Sequence, residues 1–174
     1  MNAGIFTLAQ LPPAIAERVS AIQRAHDLRL ARLRGPHVTI TGSSGMGPIA
    51  PTTRAEELRL ALEPIARTTP PIRARFGRPE RFPGTDIVVL PLDPHGPLRT
   101  LYERIAASGL PHGRARFPFT PHCTLSLYAT LTPATLRALL AAREEEPFVI
   151  DRIEMHYTRD PQPGRKLLEL ALTG

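Results

Sequence analysis

The sequence predicts an α+β fold: one bilobal domain over 1–174, made of two pseudo-two-fold α/β lobes at roughly 1–84 and 85–174. Each lobe carries a mainly antiparallel sheet, and strands can exchange between lobes around a central cleft. Three observations predict it. A short word occurs twice, in "GPHVTITGS" (35–43) and "TPHCTLSLY" (120–128), both reading Pro-His-x-Thr-(Ile/Leu) with the histidines 85 positions apart. The order around each copy is the same: strand, helix, His-Thr strand, helix, strand. The 174 residues are 42% hydrophobic, enough for one core and too many for a disordered chain.

The elements follow from local chemistry. "GIFTLAQL" (4–11) reads as a strand; Pro12-Pro13 suits a helix start, and Ile15, Val19 and Ile22 recur at helical spacing, predicting a helix over 13–28. "PHVTI" is a strand after a proline break, and 42–51, with three glycines, a mobile connection. Thr53 and Glu56 form a capping-box pattern ahead of an Ala55, Leu58, Leu62, Ile65 helical face. "IRARFG" (72–77) alternates as a strand. The second half repeats this with a strand at 86–92, a helical face of Leu98, Leu101 and Ile105 closed by Gly109, and the strand "HCTLSLY". Thr132-Pro133 caps the next helix, with Leu131 and Leu136 placed as a staple; 148–157 and 166–172 flank Pro161, Pro163 and Gly164 as a terminal hairpin.

Composition narrows the function classes. No apolar run approaches the ~18 residues that span a bilayer, and the N-terminal stretch lacks a basic leader before a long apolar segment, so a cytoplasmic protein is expected, not bound to membrane. A single cysteine, Cys123, rules out an internal disulfide. The net charge of +6, nearly all arginine, favours a phosphate-bearing partner, although arginine with abundant Ala, Pro and Leu also follows from GC-rich coding. A monomer is expected.

The repeated word carries chemistry. Alternation along a strand puts His37, Thr39 and Thr41 on one face, and His122, Thr124 and Ser126 on one face of its counterpart; Val38, Ile40, Cys123 and Leu125 turn to the core. A strand that only needed a wet face would show lysine, glutamate or arginine there. Two imidazoles on opposite sides of a phosphorus divide the work: one takes a proton from the attacking oxygen, the other protonates the departing one. The threonine hydroxyls hydrogen-bond the non-bridging oxygens. Zinc catalysis takes three protein ligands, and neither strand has a nearby carboxylate, so no metal is expected. Cys123 faces away from His122, which argues against a thiol nucleophile. The glycine loop lacks the Gly-Lys-Ser/Thr ending of a phosphate-binding loop. His26, His95, His112 and His156 show no partner motif and read as surface residues.

With "PHVTI", "FTPHCTL" and the closing segment "IDRIEMHYTRDPQPGRKLLELAL", the chain resembles the two-histidine phosphoesterases, within them the 2'-5' RNA ligase and RNA 2',3'-cyclic phosphodiesterase group. The resemblance implies a bilobal fold, catalytic His37 and His122, and Thr39 and Thr124 on the substrate phosphate. It also implies action without metal or cofactor on RNA ends or cyclic nucleotides, opening a 2',3'-cyclic phosphate to a 2'-phosphomonoester, with reversible 2'-5' ligation. His122 would activate water and His37 protonate the leaving 3'-oxygen. Thr41, Ser126, Tyr128 and Arg116 are further candidates for substrate contact.

The chain departs from the resemblance in two places. "TGSSGMG" stands where an apolar-aromatic run is usual, and "SLY" where a basic residue often follows the second motif. A substrate-binding arginine must then come from elsewhere, with Arg114, Arg116 and Arg159 as candidates. Two alternatives share these residues: an RNA- or nucleotide-binding protein without turnover, and a phosphodiesterase for another small cyclic nucleotide.

Overall fold

The computed structural model describes residues 3–115, 117–159 and 164–174. The chain runs β1 Gly4–Gln10, α1 Pro13–His26, α2 Leu28–Leu33, β2 His37–Thr41, α3 Ala55–Arg67, β3 Ile72–Ala74, β4 Glu80–Arg81, β5 Val88–Pro91, α4 Pro97–Ala106, β6 His122–Ser126, α5 Pro133–Ala141, β7 Phe148–Ile150, β8 Arg152–Thr158 and β9 Arg165–Ala171. The described strands form one seven-stranded sheet, ordered β4-β5-β6-β2-β1-β8-β9, and a two-stranded sheet of β3 and β7; all their pairings are antiparallel.

The order encodes the duplication. β1 and β2 pair as do β5 and β6, and the two pairs meet at the centre through β2 and β6. β4, from the first half, extends the second half's β5, while β8, from the second half, extends β1. The His-Thr strands therefore meet as neighbours in one ladder rather than across a gap between two sheets.

Helices cover one face. Val38 and Ile40 of β2, with Cys123 and Leu125 of β6, are completely buried. They join Val19 of α1, Leu58 and Leu62 of α3, Leu101 and Ile105 of α4 and Leu139 of α5 in one core. The coverage crosses between halves, α1 packing on β6 and α4 on β2. Gln23 of α1 reaches through this layer to donate to the Thr124 carbonyl at 2.7 Å.

Local details refine the sequence reading. Asp27 ends the first helix early: its side chain caps α2, accepting from the Leu30 N–H at 2.9 Å. The cap of α3 falls one residue later than expected, Glu57 accepting from the Arg54 N–H at 2.7 Å. Thr132 caps α5 as its sequence predicts, accepting from the Thr135 N–H at 3.1 Å. The predicted strand at 72–77 is shorter, and β4 and α2 were not anticipated. The turn at Pro161 and Pro163 lies outside the described residues.

The 42–51 segment is pinned rather than mobile. Gly45 donates to the Phe117 carbonyl at 2.8 Å and Gly47 to the Gly113 carbonyl at 3.0 Å. Gly45 adopts φ 73° and lies so close to Tyr102 that a Cβ would stand 2.7 Å from its ring. Left-handed backbone and lack of space both call for glycine there.

Candidate active site

Each Pro-His pair builds the same local device. His37 Nδ1 lies 2.7 Å from the Gly35 carbonyl, and His122 Nδ1 lies 2.7 Å from the Thr120 carbonyl. The intervening Pro36 and Pro121 fix their own φ and restrict the residue before, which aims that carbonyl. A carbonyl only accepts, so Nδ1 carries the hydrogen in both rings and Nε2 is left for chemistry.

The strand ladder then brings the two devices together. Val38 pairs with Cys123. One step further each way sets His37 opposite Thr124 and Thr39 opposite His122. The four side chains form a square on the sheet face away from the helices, each histidine beside the other strand's threonine. Cross-strand corners of such a square stand ~4.5–5.5 Å apart at Cβ and diagonal ones ~7–8 Å, while same-strand corners are two residue rises, ~6.5–7 Å, apart. A tetrahedral phosphorus fits between diagonal imidazoles with hydroxyls at the other corners. All four side chains are half-buried.

Burial favours the neutral form of both rings. Burial pushes His37 down to about 4, opposed by the Gly35 carbonyl and reinforced by the neighbouring Arg34, His156 and His122. Burial also lowers His122, against the Thr120 carbonyl and the Glu80 carboxylate. Phe82 packs edge-on against the His122 ring, with centroids 5.0 Å apart and an interplanar angle of 87°.

The remaining candidates fall in different places. Thr41 and Ser126, the last residues of β2 and β6, are fully buried. Thr41 donates to the Thr7 hydroxyl at 3.0 Å. Ser126 Oγ has no hydrogen-bond partner among the described residues. Tyr128 is half-buried, with the Arg29 guanidinium 4.3 Å from its ring centroid. Arg114 and Arg159 are exposed, and Arg116 lies outside the described residues. Cys123 is in the core, where burial pushes its thiol up to about 12. Among the described residues, no three His, Cys, Asp or Glu side chains converge as metal ligands would.

The sequence reading missed a cavity of about 280 Å³ beside His37, lined in part by Phe6, Gln10, Arg34 and His156. Arg34 was legible as the basic residue three before His37. His156 is no surface residue: only 19% of its side chain is exposed, and its Nε2 lies 2.6 Å from Glu154. Glu154 and His156 alternate along β8, so their shared face could have been read once β8 was known to join β1. A smaller cavity of about 170 Å³, around Arg75, Arg78 and Glu144, shares no residue with this site.

Residues 11–162 match the family model of the 2'-5' RNA ligase superfamily. The chain belongs to that superfamily. No curated protein matches it by sequence. The crystal structure of E. coli LigT complexed with NADP+ superposes with a TM-score of 0.62 at 18% identity, covering 99% of both chains. That of TT0787 of Thermus thermophilus superposes with a TM-score of 0.61 at 20% identity, covering 98% of both. A further phosphoesterase crystal structure gives 0.59 at 18% identity, covering 100% of both. At these identities the superpositions establish the fold.

Proposed function

We propose that the protein is a metal-independent phosphoesterase that opens 2',3'-cyclic phosphates, on RNA ends or nucleotides, to 2'-phosphomonoesters, with 2'-5' ligation as the reverse reaction. The observation that carries this reading is the diagonal pair of imidazoles, each with Nδ1 held by a carbonyl and with Nε2 unpartnered among the described residues. Superfamily membership supports the reaction class. Crystal structures of E. coli LigT complexed with 3'-AMP, ATP and phosphate support phosphate-bearing ligands on this fold.

His122 Nε2 takes a proton from water as the water oxygen bonds to phosphorus. The P–O3' bond breaks, and O3' takes the proton carried by His37 Nε2. Thr39 and Thr124 donate to the non-bridging oxygens as charge builds on them. His122 ends charged and His37 neutral, and proton exchange with solvent resets the pair. Since His37 is neutral in the free protein, the bound phosphate's negative charge draws in the proton that His37 delivers.

The test is incubation with a nucleoside 2',3'-cyclic phosphate in excess chelator, followed by phosphorus NMR. A 2'-phosphomonoester is expected. No turnover refutes the proposal, and saturable, salt-dependent binding without product would favour the binding-protein alternative.

A further inference from the structure

We infer that the cavity beside His37 is a nucleobase pocket that selects bases bearing an exocyclic amino group. The inference rests on the cyclic-phosphate reading and adds to it the identity of the substrate's base. If His37 protonates the departing 3'-oxygen, the nucleoside lies on the His37 side of the phosphorus, and that is where the cavity opens. Its volume of about 280 Å³ is just under the ~300–1,000 Å³ of pockets for drug-sized ligands, room for one base with its sugar.

The walls suit a flat ring. Phe6 and Leu8 form an apolar floor, and the Arg34 guanidinium stands 5.9 Å from the Phe6 ring centroid. Stacking on an aromatic or guanidinium face holds any base.

The polar edge does the selecting, and hydrogen-bond accounting gives its sense. Glu154 is buried and accepts from three donors: Gln10 Nε2 at 2.7 Å, His156 Nε2 at 2.6 Å and Lys166 Nζ at 3.0 Å. A carboxylate cannot donate, so these contacts fix both cavity side chains. Gln10 turns its amide hydrogens to Glu154, and its carbonyl oxygen has no partner among the described residues. His156 commits its Nε2–H to the same carboxylate and braces that arrangement. The Gln10 carbonyl oxygen is an acceptor that matches the amino group of cytosine or adenine and opposes the carbonyl of uracil.

Cytidine and uridine 2',3'-cyclic phosphates have the same shape and differ at this group, so the ratio of their kcat/KM values reads the pocket. The expected ratio is about tenfold or more in favour of cytidine. Gln10→Leu should bring it to within about twofold, and Gln10→Asn, which keeps a carbonyl acceptor, should restore part of it. A wild-type ratio near one or favouring uridine overturns the inference, as does a folded Gln10→Leu variant with an unaltered ratio. Should Gln10→Leu fail to fold, the wild-type ratio decides. If wild type turns over neither nucleotide, the proposed function fails. Calorimetry with cytidine and uridine 2'-monophosphates then reads the pocket alone: tenfold tighter cytidine binding supports it, and equal affinities overturn it.

Discussion

Asp27 ties the start of α2 to the loop after β6, and its removal should be costly. Its Oδ1 accepts from the Leu30 N–H, and its Oδ2 accepts from the N–H groups of Leu127, Tyr128 and Ala129 at 2.7, 2.6 and 3.2 Å. Asp27→Ala removes a helix cap, about 1 kcal/mol. It also strands three loop donors that water reaches in part, roughly 0.7 kcal/mol each, below the ~1–3 kcal/mol of a fully buried orphan. The total is about 3 kcal/mol, or a fall in Tm of roughly 6–12 °C for a chain this size. Burial pushes the Asp27 carboxyl up, but the four backbone donors reverse this and hold it below its usual value. A depressed carboxyl stabilises fully above the unfolded value of ~3.9, and the contribution is lost as pH falls through the folded value. Urea unfolding at pH 7 and pH 3 therefore tests the reasoning: the cost of Asp27→Ala should shrink in acid. A cost under 1 kcal/mol at pH 7, or an equal cost at both pH values, refutes it.

The paired imidazoles and the core beneath them yield three more expectations. Catalysis needs one imidazole protonated, and both have lowered values in the free protein, His37 to about 4. A pH profile of kcat/KM should peak below the ordinary histidine value of ~6.5 and fall at least about threefold from pH 6 to pH 8; a maximum at pH 8 contradicts this. Cys123, buried with its thiol at about 12, should resist alkylation at pH 8 in the native protein. Mass spectrometry showing full labelling within minutes would mean that the core opens. Ser126→Ala should leave stability unchanged or raise it by up to ~1 kcal/mol, because its buried hydroxyl has no partner among the described residues. A loss above 1 kcal/mol in urea unfolding would show that the hydroxyl is satisfied.

Local signals carried most of the elements and the His-Thr square. Pro-His-x-Thr specifies its own hydrogen bond across the proline, and alternation assigns its faces without tertiary information. The rest depends on chain crossing. Glu80–Arg81 is too short to stand out, and becomes a strand only because β5 offers it a partner. Gly45 reads as flexible in one dimension, whereas its immobility comes from Tyr102 and from the Phe117 carbonyl, more than fifty residues away. The pocket assembles Gln10, Arg34 and Glu154–His156 from three separate stretches, and no single stretch carries a recognisable word.

The central claim is that His37 and His122 act together on one phosphorus. The direct measurement is kcat/KM for a nucleoside 2',3'-cyclic phosphate, in chelator, for wild type, His37→Ala, His122→Ala and the double variant, each checked for native circular dichroism. Each single variant should lose ~10²–10⁴-fold. The double should fall no more than about tenfold below the weaker single, because the two proton transfers serve one displacement. A folded single variant that keeps more than about a tenth of wild-type activity would contradict the account.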